Sequence, residues 1–146
     1  MKSVVQILKS KPEQTVQTIT PLAPVLDAVK LMAEKNIGAL VVMEDMKVVG
    51  IITERDYARK IVLMGRSSKE TLVREIMTSP VMYVRPNHTN EECMALMTDN
   101  RVRHLPVMDN DKLIGLISIG DLVKDIISEQ KLIIKQLEHY IMGDRG

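Results

Sequence analysis

The sequence predicts an α/β fold in which two copies of one β-α-β-β-α unit pack with pseudo-two-fold symmetry, followed by a C-terminal helix. The first observation is an internal repeat: at an offset of 65 residues the chain matches itself without a gap, with Pro21 on Pro86 and Gly50 on Gly115. The second is that each copy contains two apolar runs of strand length joined by a polar turn. A repeat in one fixed register indicates a duplicated structural unit, and strands that alternate with helices indicate an α/β fold.

Each copy begins with a short extended segment, residues 16–20 in the first copy and 81–85 in the second. A proline follows each segment, and the residue before a proline is disfavoured in a helix. The first helix comes next. In the first copy its apolar residues recur at helical spacing: Val25, Ala28, Val29, Met32 and Ala33. In the second copy Thr89 and Glu92 form a capping box ahead of Cys93, which marks a helix start.

A hairpin follows the first helix in each copy. Residues 39–43 and 48–52 form the predicted hairpin of the first copy, and residues 105–108 and 113–117 form that of the second. Pro106 lies inside a strand, which predicts an edge or an irregular start because proline cannot donate to the ladder. A second helix is predicted to begin at Thr53 in one copy and Ser118 in the other.

The segment between the copies, residues 64–70, is rich in glycine and serine and is predicted to be a loop. A short helical turn over residues 73–77 follows it, and residues 4–8 resemble a shifted echo of that turn. From residue 122 to residue 142 no helix breaker occurs, and apolar residues keep a seven-residue spacing with Gln130 as the polar exception: Val123, Ile126, Ile133, Leu137 and Tyr140. The tail is therefore a predicted helical partner seam.

These elements divide the chain into a first copy over residues 1–64, a linker over 65–72, a second copy over 73–127 and a helical extension over 128–146. Composition argues against two classes of protein, nucleic-acid binders and membrane proteins. A net charge of +1, three Tyr and no Phe or Trp argue against nucleic-acid binding, which needs basic patches and stacking platforms. No apolar run is long enough to span a membrane, and the N-terminal apolar run is too short for a signal peptide. We expect a cytoplasmic protein without a membrane partner.

Metal binding and catalysis find little support in the sequence. The single Cys93 follows two glutamates in an apolar setting, so we expect a buried helix cysteine and no disulfide. The three histidines are scattered, which predicts no metal site. No nucleophile elbow, phosphate-binding loop or dinucleotide-binding glycine motif is present. We therefore expect no enzyme.

One pattern at the strand-to-helix junctions carries chemistry. Residues 50–56 and 115–121 both contain a glycine, two aliphatic residues, a hydroxyl residue and an aspartate three positions later. Thr53 with Asp56, and Ser118 with Asp121, can cap a helix, which stabilises it by roughly 1 kcal/mol. The same groups can also hold a ligand, because a helix N-terminus suits a phosphate and a carboxylate accepts bonds from vicinal ribose hydroxyls. The two interpretations are compatible.

The doubled unit and its paired junctions resemble a tandem pair of CBS (cystathionine-β-synthase) domains, also called a Bateman module, over about residues 3–127. The resemblance implies an adenosine-containing ligand in the cleft between the copies: AMP, ADP or ATP, with NAD or S-adenosylmethionine as further candidates. It also implies regulation without catalysis, a homodimer, and a regulated protein that the sequence does not identify.

The family's contacts, carried over by position, give two candidate sites. For the first site the resemblance implies Thr20, Val25, Ile37, Gly38, Ile51, Thr53 and Asp56. For the second it implies Arg85, Asn90, Val102, Arg103, His104, Leu116, Ser118 and Asp121. The candidates for phosphate contact are Arg55, Arg101, Arg103 and His104. Because the first copy has no charge before its hairpin, we expect unequal sites, with adenosine in the first and basic groups of the second copy reaching its phosphates.

Two other functions remain. The chain is a structural dimerisation or scaffold protein if its cavities bind nothing. An enzyme acting on nucleotides is disfavoured because no nucleophile, general-base pair or metal cluster accompanies the junctions.

Overall fold

A computed structural model describes residues 2–142 of the chain. The helices are α1 (Val4–Ser10), α2 (Val25–Lys35), α3 (Glu54–Tyr57), α4 (Val73–Ile76), α5 (Asn90–Asn100) and α6 (Ile119–Ile141). The strands are β1 (Thr18–Ile19), β2 (Ala39–Glu44), β3 (Lys47–Thr53), β4 (His104–Asp109) and β5 (Lys112–Ser118). The predicted α/β fold with two repeats and a long C-terminal helix is confirmed.

The two hairpins reproduce each other residue by residue. β2 pairs antiparallel with β3 and β4 with β5, and both hairpins have an irregularity at the same place, after Val42 and after Val107. Both two-residue turns adopt positive φ at each central residue, the conformation that matches the twist of antiparallel strands. The 65-residue repeat in the sequence is therefore a repeat of backbone geometry.

The two sheets differ in the short strand that comes before the first helix of each copy. β1 pairs parallel with β2, whereas the predicted strand over residues 81–85 is reduced to one parallel bridge between Val84 and Val107. In the first copy Val41 N–H donates to the Gln17 carbonyl, but its counterpart Pro106 has no N–H and only accepts, from Val84 N–H at 3.0 Å. The second sheet consequently has two strands where the first has three.

A helix that belongs to the other copy in the sequence packs against the core of each hairpin. Val73 and Ile76 of α4 pack in the core with α2, β2 and β3. Val4 and Ile7 of α1 pack in the other core, with α5, β4 and β5. The predicted echo between residues 4–8 and 73–77 thus corresponds to two helical turns in equivalent places.

Glycine in the hairpins permits this close approach. A Cβ at Gly50 would lie 2.5 Å from Met77 Sδ, and one at Gly115 would lie 2.5 Å from a Leu8 methyl carbon. Both distances are below any normal carbon contact. A larger residue at either position would have to displace the Met77 or Leu8 side chain, so packing favours glycine there independently of any ligand.

The second helices of the two copies also differ. α3 is short and continues as a π-helical segment over Ala58–Val62. α6 runs unbroken for 23 residues and crosses position 127, the predicted end of the second copy. Residues 143–146 of the predicted extension lie outside the described part of the chain. None of the helices within residues 2–142 is long and apolar enough to cross a membrane.

The single cysteine lies where the sequence predicts it. Cys93 is buried in α5 within the second core. Burial, assisted by the neighbouring Glu92 charge, raises the pKa of its thiol to about 11. A thiol with so high a pKa is a packing residue and not a nucleophile.

Candidate ligand-binding cavities

Both strand-to-helix junctions form the predicted helix caps. Asp56 N–H donates to Thr53 Oγ1 at 3.1 Å, and Thr53 N–H donates to Asp56 Oδ2 at 3.0 Å. Asp121 N–H donates to Ser118 Oγ at 3.2 Å, and Ser118 N–H donates to Asp121 Oδ2 at 2.8 Å. These reciprocal bonds hold each carboxylate over the first turn of its helix.

The first cavity lies beside Asp56 and has a volume of about 340 Å³, within the range of small-molecule sites. Its walls come from both copies: Gly38, Ile51, Thr53, Glu54, Arg55, Asp56, Arg59, Thr78, Arg101, Val102, Arg103 and His104. Asp56 is only 7% exposed. Its Oδ1 atom also accepts from Thr78 Oγ1 at 3.3 Å and pairs with Lys60 Nζ at 3.0 Å.

The first cavity carries an excess of positive charge. Four arginines, Arg55, Arg59, Arg101 and Arg103, line it together with two carboxylates, Glu54 and Asp56. Arg55 also donates from Nη1 to the Arg101 carbonyl at 2.8 Å, which joins the two copies across the cavity. Guanidinium groups at this density suit an anionic ligand such as a phosphate chain.

The second cavity lies beside Asp121 and has a volume of about 410 Å³. Leu116, Ser118 and Asp121 form one side, and Ile37 and Gly38 of the first copy form another. The N-terminal segment 11–17 closes a third side. Here the carboxylate is already engaged from within the cavity: Lys11 Nζ lies 2.9 Å from Asp121 Oδ2 and donates to the Leu116 carbonyl at 2.8 Å.

His104 borders both cavities. Its ring would lie about 3.5 Å from a Cβ at Gly38, where the two copies meet. Burial lowers the pKa of His104; Asp121 opposes that shift, and Lys11 and Arg103 add to it. The imidazole is therefore kept neutral to lower pH than an exposed one.

The structure brings together four of the residues predicted for the first site: Gly38, Ile51, Thr53 and Asp56. All four phosphate candidates, Arg55, Arg101, Arg103 and His104, line the same cavity. For the second site it brings together His104, Leu116, Ser118 and Asp121.

The other predicted residues lie elsewhere. The segments before β2 and β4 cross over, so Ile37 lines the second cavity while Val102 and Arg103 line the first. Left-handed residues that end α2 and α5, Asn36 and Arg101, turn the chain into the cleft at these points.

Four predicted residues line neither of these two cavities: Thr20, Val25, Arg85 and Asn90. Val25 is fully buried in the first core. Asn90 is also buried, and its amide donates to the Leu122 carbonyl at 3.0 Å and to Asp125 Oδ2 at 2.8 Å.

The sequence interpretation missed three residues that line the cavities, Lys11, Arg59 and Thr78, and it missed Lys60, which pairs with Asp56 from outside the first cavity. Lys60 follows Asp56 by one helical turn, a spacing that predicts an ion pair. Thr78 and Lys11 reach the carboxylates from distant segments, and no local pattern marks them. Among residues 2–142, no group of three His, Cys, Asp or Glu side chains could hold a metal ion.

Comparison with known proteins agrees with this architecture. The chain matches the CBS domain family over residues 6–63 and 73–128. It therefore belongs to the CBS-domain family and carries two tandem copies of the domain.

Among individual relatives, a CBS-domain protein of known structure from Burkholderia ambifaria MC40-6 is 60% identical, with a TM-score of 0.86 over 88% of this chain and 96% of that one. The mitochondrial CBS domain-containing protein CBSX3 of Arabidopsis thaliana is 48% identical over 82% of this chain, which spans only 60% of that protein's length. The hexameric CBS-CP12 protein from bloom-forming cyanobacteria is 34% identical, with a TM-score of 0.76 over 84% of this chain and 70% of that one.

Proposed function

We propose that this CBS-domain pair is a regulatory module that binds an adenine nucleotide and catalyses no reaction on it. AMP, ADP and ATP are the leading ligands, and NAD and S-adenosylmethionine are the other candidates. One observation carries the proposal: a cavity of about 340 Å³ has a capped carboxylate, Asp56, and four arginines in its walls. The carboxylate suits ribose hydroxyls and the arginines suit phosphates.

The proposed ligand would signal by bridging the two copies. Thr53 and Asp56 belong to the first copy, and Arg101, Arg103 and His104 belong to the second. A ligand that contacts both sets stabilises one packing of the copies over another, and it shifts that equilibrium by its difference in affinity for the two packings. We propose that the chain self-associates as a homodimer or a multiple of it, and that a separate protein responds to the change.

Titration calorimetry with adenosine, AMP, ADP, ATP, NAD and S-adenosylmethionine tests the proposal, with GTP as a control of equal charge. We expect at least one adenine ligand to bind with a Kd well below 1 mM, and ATP to bind more tightly than adenosine at low salt because of the arginines. The advantage of ATP should shrink as salt screens the charges. The sensor function is excluded if the Kd of every adenine ligand is above about 1 mM, which is the weak end of specific affinities.

The second candidate function is a scaffold whose cavities bind nothing. It is favoured by the contacts of Asp56, whose two oxygens already receive Thr53, Thr78 and Lys60. Thermal melting separates the two functions. A ligand at a hundredfold excess over its Kd stabilises a binding protein by about 2.7 kcal/mol, whereas a scaffold melts at the same temperature with and without nucleotide.

The two cavities are expected to bind unequally because of Lys11. Lys11 reaches Asp121 from inside the second cavity, whereas Lys60, which pairs with Asp56, does not line the first. We expect the wild-type chain to bind one nucleotide. We expect Lys11→Met to bind two, the second at least tenfold more tightly than the wild type binds any second nucleotide. Calorimetric stoichiometry measures both numbers.

Lys60→Met is the matched control for Lys11→Met. It removes the same charge from the equivalent aspartate but opens no space in either cavity, so the stoichiometry should stay at one. Two equal sites in the wild type, or a single site in Lys11→Met, would contradict this assignment of the second cavity.

A further inference from the structure

The last part of α6 extends away from the body of the protein. Every residue from 130 to 142 is exposed, although α1, α5 and β5 pack against the beginning of this helix. Most of the stability of a helix in a protein comes from the packing of one face against a neighbour. Its formation therefore calls for a packing partner.

One face of α6 is apolar along nearly its whole length. We name it the α6 stripe and define it by these residues: Val123, Ile126, Ile127, Ile133, Ile134, Leu137, Tyr140 and Ile141. All except Ile126 are more than two-fifths exposed. Seven exposed apolar side chains in one row on a single helix form a contiguous patch, and a large exposed patch of this kind marks an interaction site.

We propose that the α6 stripe pairs antiparallel with the α6 stripe of a second copy of this chain. The spacing supports a helical partner. Apolar residues of the stripe recur every seven residues at the two seam positions of a coiled coil and at the position next to the seam. A membrane surface fits the flanks poorly, since they mix Lys124, Lys131 and Glu138 and carry no basic cluster. The inference does not depend on the nucleotide proposal.

The order of residues along the stripe favours the antiparallel orientation. With Gln130 opposite the partner's Ile133, Ile126 meets the partner's Leu137 and Val123 meets the partner's Tyr140. The exposed tail of one chain then covers Val123 and Ile127, which lie exposed on the body of the other.

Charge on the flank of the stripe agrees with this orientation. Lys124 and Glu138 lie on the same flank, and antiparallel pairing brings Lys124 opposite the partner's Glu138. The same register sets Lys131 opposite the partner's Lys131, so this flank contributes two attractive pairs and one like-charged pair.

The mass of the protein in solution tests the interface. In sedimentation equilibrium we expect Leu137→Lys to weaken association at least a hundredfold and to halve the mass of the particle. The control is Leu132→Lys on the opposite face, because Leu132 is 57% exposed and Leu137 is 54% exposed. The proposal is overturned if the wild-type chain is monomeric at 100 μM, if Leu137→Lys leaves the mass unchanged, or if Leu132→Lys lowers it equally.

Disulfide trapping tests the orientation. Val123→Cys mixed with Tyr140→Cys should form a disulfide-linked dimer under mild oxidation, while each variant alone should not. In an antiparallel pair the two copies of residue 123 lie about 25 Å apart along the axis, from a rise of 1.5 Å per residue, too far for a disulfide. Efficient cross-linking of Val123→Cys to itself, or none in the mixture, would overturn the antiparallel arrangement. The native Cys93 is buried and does not interfere.

Discussion

Replacing Asp56 by asparagine is expected to weaken nucleotide binding in the first cavity by one to two orders of magnitude. The carboxylate is proposed to accept hydrogen bonds from two vicinal ribose hydroxyls, and a bond to a charged group is worth about 1.5–3 kcal/mol. Each 1.4 kcal/mol is a factor of about ten in Kd. Asparagine keeps the shape and one acceptor oxygen but loses the charge and the second acceptor. Calorimetry with the tightest adenine ligand measures the change.

The sign of this effect separates a direct contact from general electrostatics. Removing a negative charge from a cavity with four arginines should by itself strengthen the binding of an anion. Glu54→Gln removes the same charge from the same cavity, so it should leave the affinity unchanged or raise it. The proposed role of Asp56 is wrong if Asp56→Asn binds nucleotide as tightly as the wild type, or if Glu54→Gln loses affinity equally. Asp121→Asn, in the other cavity, controls for effects on the fold.

The sequence was sufficient to predict the features that depend on local pattern. The hairpins follow from apolar runs joined by polar turns, and the caps at Thr53 and Ser118 follow from a spacing of three residues. The repeat then predicts that the second junction copies the first. These inferences need only the period of strands and helices and the chemistry of a helix N-terminus.

Contacts between distant segments were not predictable in the same way. The exchange of Ile37 and Val102 between the cavities depends on how the two copies face each other. Lys11 lies 105 residues from the carbonyl that it contacts, and nothing around it in the sequence marks a site residue. The buried positions of Val25 and Asn90 show that equivalent positions in a family can belong to the core.

The sequence shows the difference between the two copies at Pro106, but it does not show how that difference changes the strand pairing. Pro106 predicts a strand without one donor, and the structure shows which bond is missing, because Val41 makes it in the other copy. A proline within a duplicated unit thus removes one hydrogen bond from the parallel pairing, which is reduced to a single bridge, while the hairpin beside it is preserved.

Replacing Ile7 by alanine is expected to destabilise the protein by about 2–5 kcal/mol, the usual cost of truncating a buried isoleucine. Such a loss is a large fraction of a typical domain stability of about 5–15 kcal/mol. The reason is that α1, although it lies at the start of the described chain, belongs to the core of the second copy, where Ile7 is 2% exposed. Urea denaturation monitored by circular dichroism measures the change in the free energy of unfolding.

Two matched variants make the stability experiment specific to the exchange of helices. Ile76→Ala removes the corresponding side chain of α4 from the first core, where Ile76 is 1% exposed, and should cost a similar amount. Lys9→Ala alters the exposed face of α1 and should stay within about 0.5 kcal/mol. If Ile7→Ala costs less than about 1 kcal/mol while Ile76→Ala costs several, α1 does not close the second core in solution. Because α1 leads directly into Lys11 and the wall of the second cavity, loosening it in Ile7→Ala should also release the contact of Lys11 with Asp121.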